Sequence, residues 1–205
     1  MEQFATEEQQ VEAIKRFWKE NGMAIVVGAV LGLGGLWGWR YYSDSQLAAK
    51  EAASLEYQSV IEGLQTEAGL ERAKTFLSSN EASGYASLTA MIMAAQAIQS
   101  EDLDSAATYL KTATEAQDVA LRDMALVRLA RVQLAQNDAD SALDNVSKVA
   151  SESFTAQVEE IKGDAYSLKA DFVQARLAYG NAVEAAPENR VVKMKLDNLA
   201  VASGS

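Results

Sequence analysis

The sequence predicts an all-α protein in which one membrane-spanning helix precedes a domain of repeated helix pairs. Three observations lead to this prediction. Residues 22–39 form an uncharged, almost wholly apolar run, and the rest of the chain is rich in Ala, Leu, Glu, Gln and Lys with a single Pro. In addition, an alanine with similar neighbours recurs every 33 to 36 residues. Such a composition favours helices and offers no clear strand pattern.

The apolar run, GMAIVVGAVLGLGGLWGW, has the length of a transmembrane helix. At about 1.5 Å per residue it reaches roughly 27 Å, close to the ~30 Å hydrocarbon thickness of a bilayer. Aromatic residues flank it on both sides, from Phe17 and Trp18 to Tyr41 and Tyr42, as two membrane interfaces require. A cleaved signal peptide has a shorter apolar core, and a buried soluble helix needs no aromatic flanks. We therefore predict an uncleaved anchor over residues 22–42.

The tail before the anchor, residues 1–21, predicts a short amphipathic helix. Its apolar positions recur at helical spacing: Val11, Ile14 and Trp18. Thr6 and Gln9 have the spacing of a capping box, and Asn21 with Gly22 predicts a break before the anchor. The tail either orients the anchor or serves as a docking peptide.

The basic residues around the anchor predict its orientation. Lys15, Arg16 and Lys19 precede it, whereas only Arg40 and Lys50 follow closely. By the positive-inside rule the N-terminus lies in the cytoplasm. The domain that follows, residues 43–205, is then expected outside the cytoplasm.

Small residues in the anchor predict contact with another transmembrane helix. Gly28 with Gly32, and Gly34 with Gly38, form two GxxxG motifs. One helix face carries four small residues: Ala24, Gly28, Gly32 and Gly35. Such a face lets a second helix approach closely. The alternative is that these glycines reflect only the general frequency of glycine in transmembrane helices.

Charge and composition exclude several functions. The chain carries a formal charge of −11 and has neither His nor Cys. Nucleic acid is an improbable ligand because phosphate binding needs clustered Lys and Arg. Without imidazole or thiol we predict no catalytic residue, no cofactor and no metal site. Asp138 and Asp140 are the sharpest metal alternative, but they lack the glycine of a calcium loop.

The repeat unit has the tetratricopeptide pattern of a helix pair, helix A and helix B. The helix B alanines are Ala73, Ala106, Ala142 and Ala175. Four residues after each stands a large apolar residue: Leu77, Leu110, Val146 and Tyr179. The last unit is the most complete, with Gly163, Tyr166, Ala175, Tyr179, Ala182 and Pro187. Three aspartates precede the later alanines as predicted helix N-caps: Asp102, Asp138 and Asp171. We expect a solenoid of about four helix pairs, with residues 85–99 as a central helix and residues 188–200 as a capping helix.

The concave face of such a solenoid predicts a groove built from the A helices. Its candidate residues are Leu55, Leu88, Met91, Ile98, Met124, Val127, Arg131 and Leu134. This face is expected to be apolar in the middle and acidic at its far end, near Glu160 and Asp164, and so to suit apolar or varied polypeptides. The alternative for each residue is a place in the core. Lys and Asn, which hold acidic chaperone tails in other tetratricopeptide grooves, are nearly absent, so an acidic C-terminal peptide is a poor candidate ligand.

Two segments resemble the YfgM family: residues 11–58, VEAIKRFWKENGMAIVVGAVLGLGGLWGWRYYSDSQLAAKEAASLEYQ, and residues 127–136, VRLARVQLAQ. The most specific positions flank the anchor: Val11, Lys15, Arg16, Asn21, Gly22, Gly38, Trp39, Arg40 and Tyr41. The resemblance covers the whole layout of tail, glycine-rich anchor and repeat domain. The repeat motif alone would not identify a family.

The resemblance implies a single-pass protein of the Gram-negative inner membrane with its domain in the periplasm. It implies an ancillary subunit of the SecYEG translocon that associates with the chaperone PpiD and helps to pass unfolded secreted polypeptides onward. Two alternatives stay open. The tail over residues 11–20 could sequester a signalling partner in a stress response, or Gly28 and Gly32 could mediate homodimers of an envelope spacer.

Overall fold

The computed structural model describes residues 7–64, 66–79 and 84–202, and within these residues it contains nine α-helices, one short 3-10 helix and no strand. The helices are α1 (Glu7–Gly63), α2 (Glu67–Ser79), α3 (Gly84–Gln99), α4 (Leu103–Ala113), α5 (Val119–Ala135), α6 (Ala139–Ser147), the 3-10 helix (Glu152–Phe154), α7 (Thr155–Leu168), α8 (Phe172–Ala185) and α9 (Arg190–Ala202). The predicted all-α class is confirmed. The chain divides into two compact units, residues 1–52 and 53–205.

The first unit consists of α1 up to residue 52. This part of the helix is apolar and long enough to cross a membrane, and only 6% of its most apolar window is buried. The predicted break at Asn21 and Gly22 is wrong, because α1 continues through both residues. The amide of Asn21 donates to the Phe17 carbonyl at 3.2 Å, one turn back, and so stays within the helix. Gly22 lies against the Trp18 ring. The predicted capping box lies outside the described residues, because Thr6 is not described.

The second unit is a stack of helix pairs. Helix α3 pairs with α4, α5 with α6 and α7 with α8, while α9 packs on α8 at the end. Before these pairs, residues 53–63 of α1 and helix α2 contribute Val60, Ala73 and Phe76 to the core cluster that they share with α3 and α4. The predicted tetratricopeptide-like stack with a capping helix is confirmed. α3 is buried on several sides, through Ala86, Ala90 and Met93 among others, as expected of a central helix. A single pair could not bury its apolar face, whereas the stack buries the apolar side chains of the described residues in three clusters along its length.

The B helices have the predicted register. All four repeat alanines are 0% exposed: Ala73, Ala106, Ala142 and Ala175. The large apolar residues one turn later are also buried: Leu77, Leu110, Val146 and Tyr179. At these alanines a larger side chain would have no room, because they lie where neighbouring helices cross. The sequence repeat is therefore a packing repeat.

Three of the turns between helices A and B, those before α4, α6 and α8, share one backbone geometry. Glu101, Asn137 and Ala170 adopt left-handed φ values of 59°, 64° and 58°. After each comes the N-cap aspartate, whose backbone N–H closes the preceding helix; that of Asp102, for example, donates to the Ala97 carbonyl at 2.9 Å. This is the Schellman arrangement. The same aspartates then cap the next helix by accepting from backbone N–H groups, which confirms the predicted caps: Asp102 from Ser105, Asp138 from Ser141 and Asp171 from Gln174.

The last pair is held by a close crossing of α7 and α8 at Gly163. A methyl group added there would collide with the Tyr179 ring. The glycine of the repeat motif is therefore required by the aromatic residue of the same motif, and Ala182 one turn later is also 0% exposed. Gly163 and Tyr179 therefore occur together in the motif because they contact each other in the fold.

The capping helix α9 packs one face on α8. Val192 and Leu199 are buried and Leu196 is partly buried. Val191 and Met194 are also apolar, but they are 56% and 62% exposed. The packing on α8 therefore decides which apolar residues of α9 are buried.

Candidate functional site

The glycines of the anchor leave open space beside the helix. Apart from the local helix backbone, a Cβ atom added at any of five positions would meet no heavy atom of the described residues within 4 Å: Gly28, Gly32, Gly34, Gly35 and Gly38. At about 100° per residue, Gly28, Gly32 and Gly35 share a face with Ala24, whereas Gly34 and Gly38 lie roughly a quarter-turn around the helix. The anchor thus offers two adjacent faces to which another backbone could come close.

The repeat domain carries an apolar cavity between α3 and α5, with α4 beneath it. Its volume is about 420 Å³. The lining residues are Met91, Ala94, Ala95, Ile98, Leu103, Leu110, Arg128, Arg131, Val132 and Ala135. Apart from two arginines, every lining side chain is aliphatic or a thioether. The cavity can hold apolar side chains, and its lining offers no nucleophile or acid–base pair for catalysis.

Three of the residues predicted for the groove line this cavity: Met91, Ile98 and Arg131. Met91 is 4% exposed and forms part of the wall, whereas Ile98 is 44% exposed. Both project from α3, and Arg131 projects from α5. The helical register of the A helices thus brings these predicted residues together.

The other predicted groove residues lie elsewhere in the domain. Leu88 and Met124 are partly buried against the first core cluster. Val127 is buried in a second cluster, to which Leu134 also packs. Leu55 is 70% exposed on α1 and does not line the cavity. These residues contribute to the stack or to its surface rather than to this cavity.

Sequence reasoning missed most of the residues that line the cavity. Leu103 and Leu110 come from α4, a B helix, and Arg128 lies one turn before Arg131 on α5. The groove was registered on A helices alone, so the B-helix residues beneath it were omitted. The i, i+3 spacing of the two arginines was the available signal, because such residues share a helix face.

The acidic end predicted for the groove is neutralised. Lys195 of α9 donates to Glu160 at 2.9 Å and to Asp164 at 2.7 Å, and Arg131 lies 3.9 Å from Glu160. Burial lowers the pKa of Lys195, but the hydrogen bonds to the two carboxylates raise it further, so it lies above its usual value. The far end of the groove was expected to be acidic, but α9 supplies Lys195, which pairs with both Glu160 and Asp164. The repeat motif gave no sign of this cation, because it lies more than 30 residues away in the sequence.

Tyr179 joins this charged cluster from α8. Its hydroxyl donates to Asp164 at 2.7 Å. Burial raises the pKa of the Tyr179 phenol well above its usual range. The ring that packs on Gly163 therefore also connects α8 to the ion pairs between α7 and α9.

A buried carboxylate connects the third repeat to the fourth. Asp123 of α5 is 0% exposed, and its Oδ2 accepts from the backbone N–H groups of Ala150 at 3.2 Å and Ser151 at 2.8 Å. Its Oδ1 has no hydrogen-bond partner among the described residues. Asp123 thus fixes the loop between α6 and α7, and with it the stacking angle of the last pair.

The two aspartates considered as a metal alternative both interact with protein groups. Asp138 accepts from the Ser141 N–H at 3.0 Å, and this capping lowers its pKa. Asp140 pairs with Lys169, and the carboxylate raises the pKa of that lysine. Both carboxylates have structural roles at the start of α6.

Comparisons with known proteins agree with the fold and cover nearly the whole chain. Residues 15–201 match the model of the tetratricopeptide repeat-like domain family. A Haemophilus influenzae protein named ancillary SecYEG translocon subunit is 33% identical over 198 residues, 94% of this chain and 97% of the relative. Proteins of the same name from Escherichia coli K12 and Neisseria gonorrhoeae are 33% and 27% identical, covering 98% and 94% of this chain and 100% and 97% of those relatives.

Proposed function

Because this chain belongs to the family of ancillary SecYEG translocon subunits and carries a tetratricopeptide repeat-like domain, we propose that it is a membrane-anchored, non-catalytic scaffold of the translocon. The observation that carries the proposal is the apolar cavity of about 420 Å³ between α3 and α5, whose lining has room for side chains of a partner polypeptide. The scaffold would connect emerging secreted chains to a PpiD-type chaperone.

The proposal places α1 in the inner membrane as a single span. The tail is cytoplasmic and the repeat domain periplasmic, in keeping with the excess of basic residues before the anchor. Lipid surrounds most of the exposed apolar surface of α1. The face of Gly28 and Gly32 binds a helix of the translocon. A Cβ atom added at either glycine would lie more than 4 Å from every described heavy atom outside the local helix backbone, so a second helix has room to approach.

The role of the anchor in binding SecYEG can be tested separately from the role of the repeat domain, with one variant and one control for each. Gly28→Ile with Gly32→Ile places bulk on the glycine face and should reduce co-purification of SecYEG from mildly solubilised membranes at least severalfold. Val30→Ile is the matched control, because residue 30 lies on the far side of the helix. Unchanged co-purification of SecYEG with the double variant would contradict the anchor's part in the proposal. If the double variant instead abolished a homodimer of this chain, the alternative of a homodimeric envelope spacer would replace the proposed contact with the translocon.

The cavity has its own variant. Ala95 is exposed and lines the cavity, so Ala95→Trp should fill it without disturbing the core. Crosslinks to a chaperone or to secreted chains should decrease, while SecYEG association through the anchor persists. Thr108→Trp is the control, because Thr108 is exposed on α4 and lines a separate cavity with Leu77 and Tyr109. Retention of all periplasmic crosslinks with Ala95→Trp would contradict a binding role for the cavity.

A second candidate function rests on the tail. Ile14 and Trp18 are 68% and 58% exposed on α1, and a cytoplasmic signalling partner could cover them. Ile14→Ser with Trp18→Ser should then alter a stress response while periplasmic crosslinks remain. An unchanged response would leave these side chains with lipid as their only partner.

A further inference from the structure

The rim of the cavity is positively charged in a chain that is strongly acidic. Among the residues that the structure describes, Arg128 and Arg131 are the only charged ones that line it, and no carboxylate of these residues does. The chain as a whole carries a formal charge of −11. The cavity therefore carries positive charge at its rim, although the protein as a whole is negatively charged.

The two guanidinium groups retain their capacity for a ligand. Arg128 is exposed and forms no ion pair with any of the described residues. The ion pair of Arg131 with Glu160 is long at 3.9 Å, and Glu160 already accepts from Lys195 at 2.9 Å. The Arg131 side chain is 51% exposed. Because arginine binds carboxylates in a bidentate manner, both groups are suited to an acidic partner.

We infer that the cavity binds polypeptide segments in which a large apolar side chain has Asp or Glu close to it in the sequence. The apolar side chain enters between Met91 and Leu110, and the carboxylates meet Arg128 and Arg131 at the rim. This inference rests on the proposed function, since it names the class of polypeptide that the scaffold holds. The acidic group of the bound segment is the side chain of an internal Asp or Glu. Its binding therefore does not require the Lys and Asn residues that hold a C-terminal carboxylate in other tetratricopeptide grooves.

Charge complementarity selects this occupant over a neutral or basic segment. A basic segment would place its cations against the two arginines, and a neutral one would leave the rim without a partner. The rim is exposed, so each ion pair contributes modestly and is weakened by salt. Two such pairs correspond to about a 5- to 10-fold preference for the acidic segment.

The test uses the full-length chain in detergent and two labelled 14-residue peptides followed by fluorescence anisotropy. Both peptides contain the same two leucines three residues apart, flanked by Glu in one and by Gln in the other. The Glu peptide should bind about 5- to 10-fold more tightly at low salt, and the preference should shrink at high salt. Arg128→Gln with Arg131→Gln should remove the preference and leave the Gln peptide unaffected. Arg190→Gln, on α9 away from the cavity, is the matched control and should keep it.

The outcomes separate the charge inference from the proposed function. Equal binding of both peptides, with both lost in Ala95→Trp, overturns the charge preference and leaves the cavity as a polypeptide site. Binding of neither peptide, or displacement of both by oleate at lower concentration than by unlabelled Glu peptide, overturns the assignment of an acidic polypeptide. Circular dichroism of each variant, expected to match the parent, excludes unfolding as the cause.

Discussion

Asp123→Ala should loosen the contact between the third and fourth repeats. The substitution removes the acceptor for two backbone N–H groups, those of Ala150 and Ser151. Hydrogen bonds to a charged group contribute about 1.5–3 kcal/mol each. Part of the lost free energy is regained, because Ala150 is exposed and its N–H can donate to water instead. A further part of the lost free energy is offset because the substitution removes a buried carboxylate whose Oδ1 has no hydrogen-bond partner among the described residues. We expect a net loss of about 2 kcal/mol, or roughly 4–8 °C in melting temperature.

The assay is thermal unfolding of the full chain in detergent, combined with hydrogen exchange of residues 147–155. Exchange in that loop should accelerate in Asp123→Ala. Asp118→Ala is the matched control on the same helix: it removes an exposed N-cap to Leu121, should cost about 1 kcal/mol, and should leave the loop unchanged. Asp123→Asn keeps an acceptor and should lose less than about 1 kcal/mol. A loss below about 0.5 kcal/mol for Asp123→Ala, with unchanged loop exchange, would refute the reasoning.

Three further substitutions test the packing of the repeats. Gly163→Ala should destabilise the domain by about 1–3 kcal/mol, because the methyl group collides with Tyr179; adding Tyr179→Leu should recover part of the loss in denaturant unfolding. Ala170→Gly should stabilise it by about 0.5–1 kcal/mol, since φ there is 58°, and a lower urea midpoint than the parent would contradict this. Lys195 has a raised pKa in the fold, so its stabilising effect is complete below its usual pKa of 10.5 and is lost as pH rises through the folded value. Stability should therefore fall in alkaline solution, and Lys195→Met should flatten that fall; an equally steep decline in the variant would show that another group causes it.

Features repeated along the chain could be predicted from sequence. The buried alanines and the capping aspartates appear several times at fixed spacing, so each repeat supports the assignment of the others. The left-handed residues before the caps could not be predicted in the same way. Glu101, Asn137 and Ala170 share no side-chain chemistry, and only Asn favours that conformation.

Features that occur once, and depend on distant partners, were missed. Asp123 has the sequence context of a surface helix residue, yet the loop before α7 buries it completely. Lys195 lies more than 30 residues from the carboxylates that it pairs with. The cavity was predicted in part, because its α3 wall follows helical periodicity whereas its base comes from α4. The spacing of apolar residues within one helix does not show which other helix packs beneath it, so the residues of α4 could not be predicted.

Photo-crosslinking from the cavity in native membranes tests the central claim most directly. A photoactivatable residue at Ile98, which lines the cavity and is 44% exposed, should form adducts with a periplasmic chaperone or with chains crossing the translocon. One at Thr108, which lines a separate cavity beside Leu77, should not. Filling the cavity from the opposite wall by Ala135→Trp should abolish the Ile98 adducts. Adducts from Thr108 alone, or Ile98 adducts that persist with the cavity filled, would contradict a scaffold that holds polypeptide between α3 and α5.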